Sequence, residues 1–593
     1  MKRTLALALA AATATSMVAT SAIAAPNDNA NEKAFSAPNG KAKGQDKGNP
    51  GNGKPENPGK GKQNPPGQLV NVQVLQFSDF HGHLEPEGGY GGAAYLAGLA
   101  DSLSAQFEDE NKRAASFLVS SGDSIGGSTF ASGLFHDEGT IEVLNAMGLT
   151  AQAVGNHEFD EGVAELMRIV NGGNHADGQY LDYPYPGTNF PYLAANVVWK
   201  DSGEPILPAY TIEKVKGVNV GFIGVVTDDT PVLVSPGGIE QVSFLDEAET
   251  LNKYAAELQA QGVEAIVALV HEGGYDEGTY PDVITKEDVN AGCDTLTGPI
   301  VDINDNTTSA VDVLLTGHTH SGFACLLPDP DGELRAVNGP GDWGRVLSET
   351  TFTVDKRTKD VVRETLEVEN HVVDANAIVP NAQVAEIVAK WTAMADVMAQ
   401  EVIGSAAEPI TGDAGGDRGI ETPMANLVAD AILWGTQDAG GQIAFMNVGG
   451  VRASLDAGDI TYEEAYNVAP FGNLLVTLDM TGAQIEAVLN QQYNPDRSRA
   501  MLALGVSEGF TYTWDATTNS VVPGSMMLNG TPIDPNATYK VSTLSFLAEG
   551  GDAFTAFTEG TNLVGGPEDL ANLVAYIQQH SPLTAPEDRV EGL

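Results

Sequence analysis

Five short apolar runs with strand character each end in a cluster of polar residues. The runs cover residues 70–77, 116–120, a short stretch that ends at Val154, 265–270 and 311–315. In α/β sheets, ligands bind just beyond the carboxyl ends of strands, so five such ends can converge on one point. The pattern therefore predicts an α/β unit whose functional residues lie at the carboxyl ends of its strands.

The polar clusters supply carboxylate, amide and imidazole groups. The candidate metal ligands are Asp79, His81, Asp123, Asn156, His271, His318 and His320. Such oxygen and nitrogen donors bind divalent ions, with Zn or Mn favoured and Co, Fe, Mg and Ca as alternatives. The set exceeds what one ion needs, which favours two ions sharing one carboxylate. Each motif alone is weak, because a Gly-Asp pair is usually a turn and a histidine after a strand is often structural.

Taken in order, Asp-x-His, Gly-Asp, Gly-Asn-His-Glu, His and Gly-His-x-His resemble the signature of the calcineurin-like metallophosphoesterase superfamily. The resemblance implies an N-terminal domain with four α/β/β/α layers. It implies Asp79, His81, Asp123 and His320 around one metal ion, and Asp123, Asn156, His271 and His318 around the other. It also implies that His157 faces the phosphate as an imidazolium, oriented by Asp160. His83 has no place in this scheme and is interpreted as a supporting or merely local residue.

A second set of motifs follows residue 404. It comprises Asn-x-Gly-Gly-Val-Arg at 447–452, Pro-Phe-Gly at 470–472 and Phe-Leu-Ala-x-Gly-Gly-Asp at 546–552. Arginines can bind phosphate in a bidentate manner and phenylalanines can stack on a base, although each residue alone could be structural. Together these motifs resemble the C-terminal domain of the 5′-nucleotidase family. The resemblance implies that phosphate is bound by Arg418, Asn447 and Arg452, the base by Phe471 and Phe546, and the ribose by Asp552, with Gly449 among the substrate-binding residues.

The chain is thus expected to have two domains, an α/β metallophosphoesterase domain at 68–370 and an α+β substrate-binding domain at 405–593. Apolar residues spaced as on one helix face predict a connecting helix at 376–404, with Pro380 near its start and Gly404 at its end. The family resemblance implies that the C-terminal domain rotates about this helix to carry substrate to the metal ions.

The implied function is removal of the 5′-phosphate from nucleotides by attack of a metal-activated water molecule. Nucleoside diphosphates, triphosphates and UDP-sugars are further candidate substrates. Two alternatives stay open: a 2′,3′-cyclic-nucleotide phosphodiesterase/3′-nucleotidase of the same architecture, and a non-catalytic surface protein of the same fold. The second is disfavoured because all seven candidate metal ligands are present.

The first residues predict export. Residues 1–24 combine a basic start, an uncharged Ala/Leu-rich stretch and an A-x-A cleavage pattern, as in a signal peptide. A membrane anchor is disfavoured because the stretch is weakly hydrophobic, so no transmembrane segment is expected in the mature protein. Residues 25–67 are rich in Gly, Pro, Asn and Lys and predict a disordered linker. We expect a secreted protein of the extracellular space, cell wall or periplasm, with this arm either a solvated spacer or a cell-wall contact.

The net charge and the cysteine content narrow the range of substrates, partners and metal sites that are expected. The chain has 30 Lys and Arg against 80 Asp and Glu, a net charge of −50. Long nucleic acids are held mainly by basic surfaces, so small nucleotides are the expected substrates and stable nucleic-acid binding is not expected. The two cysteines, Cys293 and Cys325, exclude a four-thiolate metal site. In an exported protein they are expected to form a disulfide, the alternative being two unrelated buried thiols.

Overall fold

The computed structural model describes residues 68–593, apart from 177, 235, 277–287, 291, 292, 294, 413–416, 496 and 498. The predicted signal peptide at 1–24 and the predicted linker at 25–67 lie outside the described residues. The described residues belong to one compact unit. Within them, none of the helices combines the length and the apolar character needed to cross a membrane.

Strands and helices alternate in the N-terminal region, as the sequence predicts. The strands are β1 (Leu69–Phe77), β2 (Ala114–Ser120), β3 (Ala151–Ala153), β4 (Tyr192–Leu193), β5 (Val197–Trp199), β6 (Tyr210–Val215), β7 (Val218–Val226), β8 (Val242–Phe244), β9 (Ala265–His271), β10 (Val313–Thr316), β11 (Gly322–Pro328), β12 (Leu334–Pro340), β13 (Val346–Asp355) and β14 (Glu367–Val372). The helices are α1 (Ala93–Glu110), α2 (Phe130–Gly133), α3 (Glu138–Met147), α4 (Gly162–Asn171), α5 (Thr230–Leu233), α6 (Glu247–Ala260) and α7 (Pro299–Asn306).

Two six-stranded sheets form the middle layers of this region. Their strand orders are β14-β13-β1-β2-β3-β4 and β11-β12-β10-β9-β7-β6. One buried cluster joins the sheets, with Val72 of β1, Phe222 of β7 and Val267 of β9 among its members. Residues of α1 and α3 pack on the first sheet, and residues of α6 and α7 pack on the second. The four-layer α/β/β/α prediction is therefore confirmed.

The five predicted runs are confirmed as β1, β2, β3, β9 and β10, and they are divided between the two sheets. In the first sheet, β2 is parallel to both β1 and β3. In the second sheet, β9 is parallel to β10. Parallel neighbours end at the same edge, so each sheet presents its polar clusters side by side.

The connecting helix is present but shorter than predicted. It is α8 (Ala382–Ala399), not 376–404. The side chain of Asn381 caps its start by accepting a hydrogen bond from the Val384 amide at 3.1 Å. After it, β15 (Val402–Ala406) pairs with β17 (Gly458–Thr461), so Gly404 belongs to a strand. The apolar spacing identified the helix, but the cap and the strand pairing set its ends.

The C-terminal region is an α+β unit, as predicted. Its other strands are β16 (Ile443–Asn447), β18 (Leu474–Thr481), β19 (Leu504–Val506), β20 (Phe510–Asp515), β21 (Ser520–Val521), β22 (Met527–Leu528), β23 (Thr531–Pro532), β24 (Thr538–Leu544), β25 (Thr561–Glu568) and β26 (Val590–Glu591). Its helices are α9 (Pro423–Gly435), α10 (Tyr462–Val468), α11 (Gly482–Asn490), α12 (Ser545–Ala548) and α13 (Asp569–His580). The main sheet has the order β19-β16-β24-β18-β25.

The two cysteines form a disulfide, as predicted. Cys293 is bonded to Cys325, and their Cα atoms lie 5.7 Å apart. Cys325 lies on β11, five residues after His320. The disulfide therefore ties a loop segment to the strand that follows the last predicted metal ligand.

Candidate active site

The predicted metal ligands converge where the two sheets present their strand ends. Asp123 is central: its Oδ2 lies 3.0 Å from His271 Nε2 and 3.9 Å from His81 Nε2. His320 Nε2 lies 3.5 Å from Asp79 Oδ1. Within each of three overlapping sets, the possible ligand atoms lie within 4.8 Å of one another; the sets are Asp79, His81 and His320; His81, Asp123 and His157; and Asp123, His271 and His318.

Asn156 joins the same cluster. Its side-chain oxygen lies 2.9 Å from His318 Nδ1 and 3.2 Å from His271 Nε2. The backbone amide of His318 donates to both carboxylate oxygens of Asp79. All seven residues predicted as metal ligands are thus brought together by the fold.

Backbone carbonyl groups orient two of the imidazoles from the side opposite Asp123. His81 Nδ1 lies 2.7 Å from the carbonyl oxygen of Gly126, and His271 Nδ1 lies 2.8 Å from that of Ser121. Each ring therefore uses Nδ1 to donate to the backbone and turns Nε2 toward Asp123. A hydrogen bond on the far nitrogen is the usual way in which a metal-binding histidine is held. This donor set, with oxygen and nitrogen atoms facing inward, fits divalent metal ions.

The carboxylates in this cluster are deeply buried. Asp79 and Asp123 are 0% and 1% exposed. Burial raises the pKa of Asp79. Burial also opposes the charge on Asp123, but His271 and His157 hold the pKa of that carboxyl well below its usual range. Buried carboxylates need cationic partners, and bound metal ions would provide them.

The backbone at the strand ends is strained. Five of the predicted ligands have positive φ angles between 46° and 69°; they are Asp79, His81, Asp123, His318 and His320. Such conformations are uncommon for non-glycine residues and cluster at functional sites. Close approach also requires glycine at two neighbouring positions. A Cβ atom on Gly155 would lie 2.1 Å from Asp123 Oδ1, and one on Gly122 would lie 2.6 Å from His271 Nδ1.

His157 lies beside the cluster and is paired with Asp160, as the resemblance implied. Its Nδ1 lies 2.8 Å from Asp160 Oδ2, which also accepts from the Gly127 amide at 3.1 Å. The His157 amide donates to Asp123 Oδ1 at 2.9 Å. Burial disfavours the charged ring, but Asp160 and Asp123 raise the pKa of His157 to about 9. These two carboxylates therefore favour the imidazolium form of His157.

Glu158 supports the site and received no role from the sequence. It is buried, and its carboxylate accepts hydrogen bonds from the amides of Asp123, Ser124 and Gly155. Burial and the neighbouring Asp123 raise its pKa to about 8. Its place in the Gly-Asn-His-Glu motif was the signal that could have identified it. Glu158 holds the loop that carries the central carboxylate.

Asp342 is a second supporting residue that sequence reasoning missed. Its Oδ2 lies 3.0 Å from His320 Nδ1, and Arg345 donates to its other oxygen. The adjacent Trp343 stacks on His83 with ring centroids 4.4 Å apart. Burial lowers the pKa of His83 to about 3. His83 is thus a local packing residue next to the segment that orients His320, and no sequence motif links these segments.

Four predicted substrate residues lie near one another, and one of them contacts His157. The Phe471 ring stacks on the His157 ring with centroids 6.3 Å apart. The guanidinium carbon of Arg452 lies 5.8 Å from the centroid of the Phe471 ring, and its Nη1 donates to the Gly449 carbonyl. A Cβ atom on Gly449 would lie 3.3 Å from the Arg418 side chain. The C-terminal region therefore reaches the predicted catalytic histidine beside the metal-ligand cluster.

The remaining predicted substrate residues surround the 551–552 turn. Asn447 donates to Asp552 Oδ2 at 2.9 Å. The side-chain oxygen of Asn447 is buried without a hydrogen-bond partner in the described structure. A buried polar atom of this kind needs an explanation, and a bound ligand is one. Phe546 lies against Gly551, where an added Cβ atom would be 2.4 Å from its ring.

The chain matches two families. Residues 72–322 match the calcineurin-like phosphoesterases, and residues 402–559 match the 5′-nucleotidase C-terminal domain. Endonuclease YhcR of Bacillus subtilis is 35% identical over 86% of this chain, which covers only 40% of that relative's length. Cell wall protein Lmo0130 of Listeria monocytogenes is 34% identical over 86% of this chain and 67% of its own. The crystal structure of a 5′-nucleotidase precursor from Thermus thermophilus matches with a TM-score of 0.68 and 26% identity, covering 88% of this chain and 99% of that one.

Proposed function

Because this chain belongs to the 5′-nucleotidase family of the calcineurin-like metallophosphoesterases, we propose that it is a secreted, metal-dependent 5′-nucleotidase. The observation that carries this proposal is the contact between Phe471 of the C-terminal region and His157 beside the metal-ligand cluster. An aromatic side chain is thereby placed next to the groups suited to phosphate chemistry. A phosphate ester with a planar base is the substrate that such an arrangement would hold.

Two divalent ions, Zn or Mn, are the proposed cofactors. One would be held by Asp79, His81, Asp123 and His320, and the other by Asp123, Asn156, His271 and His318. The central position of Asp123, between His271 and His81, supports its role as the shared ligand. When bound, such ions acidify water and neutralise charge on phosphate oxygens.

His157 is the proposed catalytic residue. Its Nδ1 is engaged by Asp160, so the proton on Nε2 is the one available to a substrate oxygen. Asp160 fixes the ring orientation, and the Asp123 carboxylate holds the backbone of His157. His157 would thus donate a hydrogen bond to the phosphate or to the leaving oxygen, where negative charge develops.

The C-terminal residues are proposed to select the nucleotide. Arg418, Asn447 and Arg452 would bind phosphate oxygens, because two guanidinium groups and an amide offer several donors. Phe471 and Phe546 would stack on the base, and Asp552 would accept hydrogen bonds from the ribose. Diphosphates, triphosphates and UDP-sugars are proposed as further substrates. The described arrangement has Arg452 next to Phe471, as contacts to phosphate and base require.

The proposal includes the boundaries of two domains and of the segment that connects them. We propose a metallophosphoesterase domain at 68–370, a connecting segment at 376–404 built around α8, and a substrate-binding domain at 405–593.

Secretion is proposed from the export pattern at 1–24. Association of the 25–67 arm with the cell wall is proposed as well, because the Listeria relative is named a cell wall protein. N-terminal sequencing of the protein in culture medium and in wall extracts tests both, with a start just after residue 24 expected.

A phosphodiesterase is the competing function. The family architecture also suits 2′,3′-cyclic nucleotides, and one relative is named an endonuclease. The strongly acidic chain disfavours long polyanions. We therefore rank nucleoside 5′-monophosphates above long DNA, and the relatives named 5′-nucleotidase favour them over 2′,3′-cyclic nucleotides.

A substrate panel separates these functions. It compares kcat/KM for AMP, ADP, UDP-glucose, 2′,3′-cyclic AMP and linear DNA under one metal condition. We expect the highest value for AMP. A higher value for 2′,3′-cyclic AMP, or efficient cleavage of DNA at low salt, would overturn the ranking.

A further inference from the structure

A second group of metal-binding side chains lies outside the proposed catalytic centre. It consists of His136, just before α3, Glu161, just before α4, and His175, in the loop that follows α4. His136 Nδ1 lies 2.8 Å and 3.1 Å from the two carboxylate oxygens of Glu161. His175 Nε2 lies 3.6 Å from one of them. The three possible ligand atoms lie within 4.8 Å of one another.

We propose that His136, Glu161 and His175 form a third divalent-metal site that binds Zn²⁺ or a similar transition-metal ion. Two imidazoles and one carboxylate are the protein ligands of many zinc sites that leave one position to water. The Nδ1 edge of His136 and the Nε2 edge of His175 lie beside the same Glu161 carboxylate, and the two rings stack with centroids 3.5 Å apart. A cation at this point would contact all three groups.

The local charge favours a bound cation. The Glu161 carboxylate lies 2.8 Å from His136 Nδ1 and 3.6 Å from His175 Nε2, so it is the acidic group shared by the two imidazoles. The nearby Arg168 is engaged with other acids. It donates to Glu165 at 2.8 Å and to Glu138 at 2.7 Å. Because these two carboxylates offset the guanidinium, the charge of the Glu161 carboxylate can balance an ion held between the two imidazoles.

The site is open to solvent on one side. The side chain of Glu161 is 46% exposed, whereas those of His136 and His175 are 19% and 15% exposed. An ion can therefore enter from solvent, and water can complete its coordination. The two imidazoles are thus mostly enclosed by the protein, whereas the carboxylate is accessible to solvent.

A metal ion here would brace the loops that orient the proposed catalytic residues. Glu161 follows Asp160, which binds His157. His136 precedes Asp137, whose carboxylate accepts from the Gly126 amide at 3.1 Å. The Gly126 carbonyl in turn holds His81. Linking His136 to Glu161 would therefore restrain both supporting segments, which assigns the third ion a structural role.

Metal counting tests this proposal. The full-length protein is stripped with chelator, reloaded with Zn²⁺, dialysed and measured for zinc per chain. We expect the His175→Ala protein to hold one ion fewer than the unchanged protein. The matched control is His580→Ala, which removes an exposed histidine near Tyr576 in the C-terminal region and should leave the count unchanged.

Thermal unfolding gives an independent readout. Zn²⁺ should raise the Tm of the His175→Ala protein less than that of the His580→Ala protein, because one stabilising ion is missing. Glu161→Gln keeps the size of the side chain and should reproduce both effects, and circular dichroism verifies that each variant is folded. Equal zinc counts and equal Tm increases in all four proteins would overturn the proposal and leave the cluster as a metal-free ion pair.

Discussion

The predicted metal ligands and the predicted substrate residues are held in different ways. Asp123 and His271 are almost fully buried, and each is fixed by several hydrogen bonds at the end of a strand. Phe471 and Phe546 are only half-buried and lie in or next to loops. This difference supports the proposal that the N-terminal region carries out the chemistry and that the C-terminal region recognises the nucleotide. Substitutions in the N-terminal region should lower activity on every substrate, whereas substitutions in the C-terminal region should lower activity on nucleotides selectively.

The largest effect is expected for Asp123→Asn. Replacing the carboxylate shared by the proposed metal sites should remove several kcal/mol of transition-state stabilisation, which corresponds to a loss of about a thousandfold or more. The loss in kcat/KM should be similar for AMP and for p-nitrophenyl phosphate. Asp302→Asn, at an exposed position of α7, is the control. Unimpaired hydrolysis by the Asp123 variant would rule out the proposed metal centre.

His157→Ala should have the next largest effect. Loss of a positioned proton donor lowers kcat by roughly 10²–10⁴-fold. The loss should be greater for AMP than for p-nitrophenyl phosphate, because nitrophenolate leaves without protonation. Asp160→Asn, which keeps the imidazole and weakens its orientation, should give a smaller loss with the same substrate dependence. If both substrates lost activity equally, His157 would act on the phosphate or on the fold, not on the leaving oxygen.

Phe471→Ala tests whether the C-terminal region contributes selectively to nucleotide binding. Loss of one stacking contact of about 1–3 kcal/mol should raise KM for AMP by roughly tenfold to a hundredfold. Hydrolysis of p-nitrophenyl phosphate should change little, and Phe471→Tyr should retain most of the AMP affinity. Because Phe471 also contacts His157, an equal loss on both substrates would show that it acts through that contact.

The smallest effect on catalysis is expected from removing the disulfide. The double replacement Cys293→Ser and Cys325→Ser opens a loop whose ends are 32 residues apart. The free energy of unfolding should fall by about 3–4 kcal/mol in the chain-entropy account. Urea denaturation of the metal-loaded protein measures this fall, while kcat/KM for AMP should stay nearly unchanged. A large loss of activity in the folded variant would mean that the disulfide positions the ligands directly.

Much of the fold and site could be predicted because ligand types and strand patterns are local features. The five strands and the convergence of the seven ligands followed from short motifs, and the pairing of His157 with Asp160 was implied by the family resemblance that those motifs carry. Asp342 could not be predicted, since it lies in a different loop from His320 and no spacing links the two. The positive φ angles of residues such as His318 could not be predicted either, because these positions are not glycine and no local sequence pattern marks them.

The ends of α8 show a second reason why some features could not be predicted from the sequence. Apolar spacing identifies a helix face, but it continues into residues that the fold uses otherwise. Asn381 ends the pattern on one side by capping, and pairing of β15 with β17 ends it on the other. Both depend on contacts that a periodic pattern does not encode.

Phosphate release from AMP by metal-stripped and reconstituted protein tests the central proposal most directly. We expect chelation to abolish release and Zn²⁺ or Mn²⁺ to restore it in the unchanged protein but not in the Asp123→Asn protein. Undiminished release after complete removal of metal, verified by elemental analysis, would contradict it.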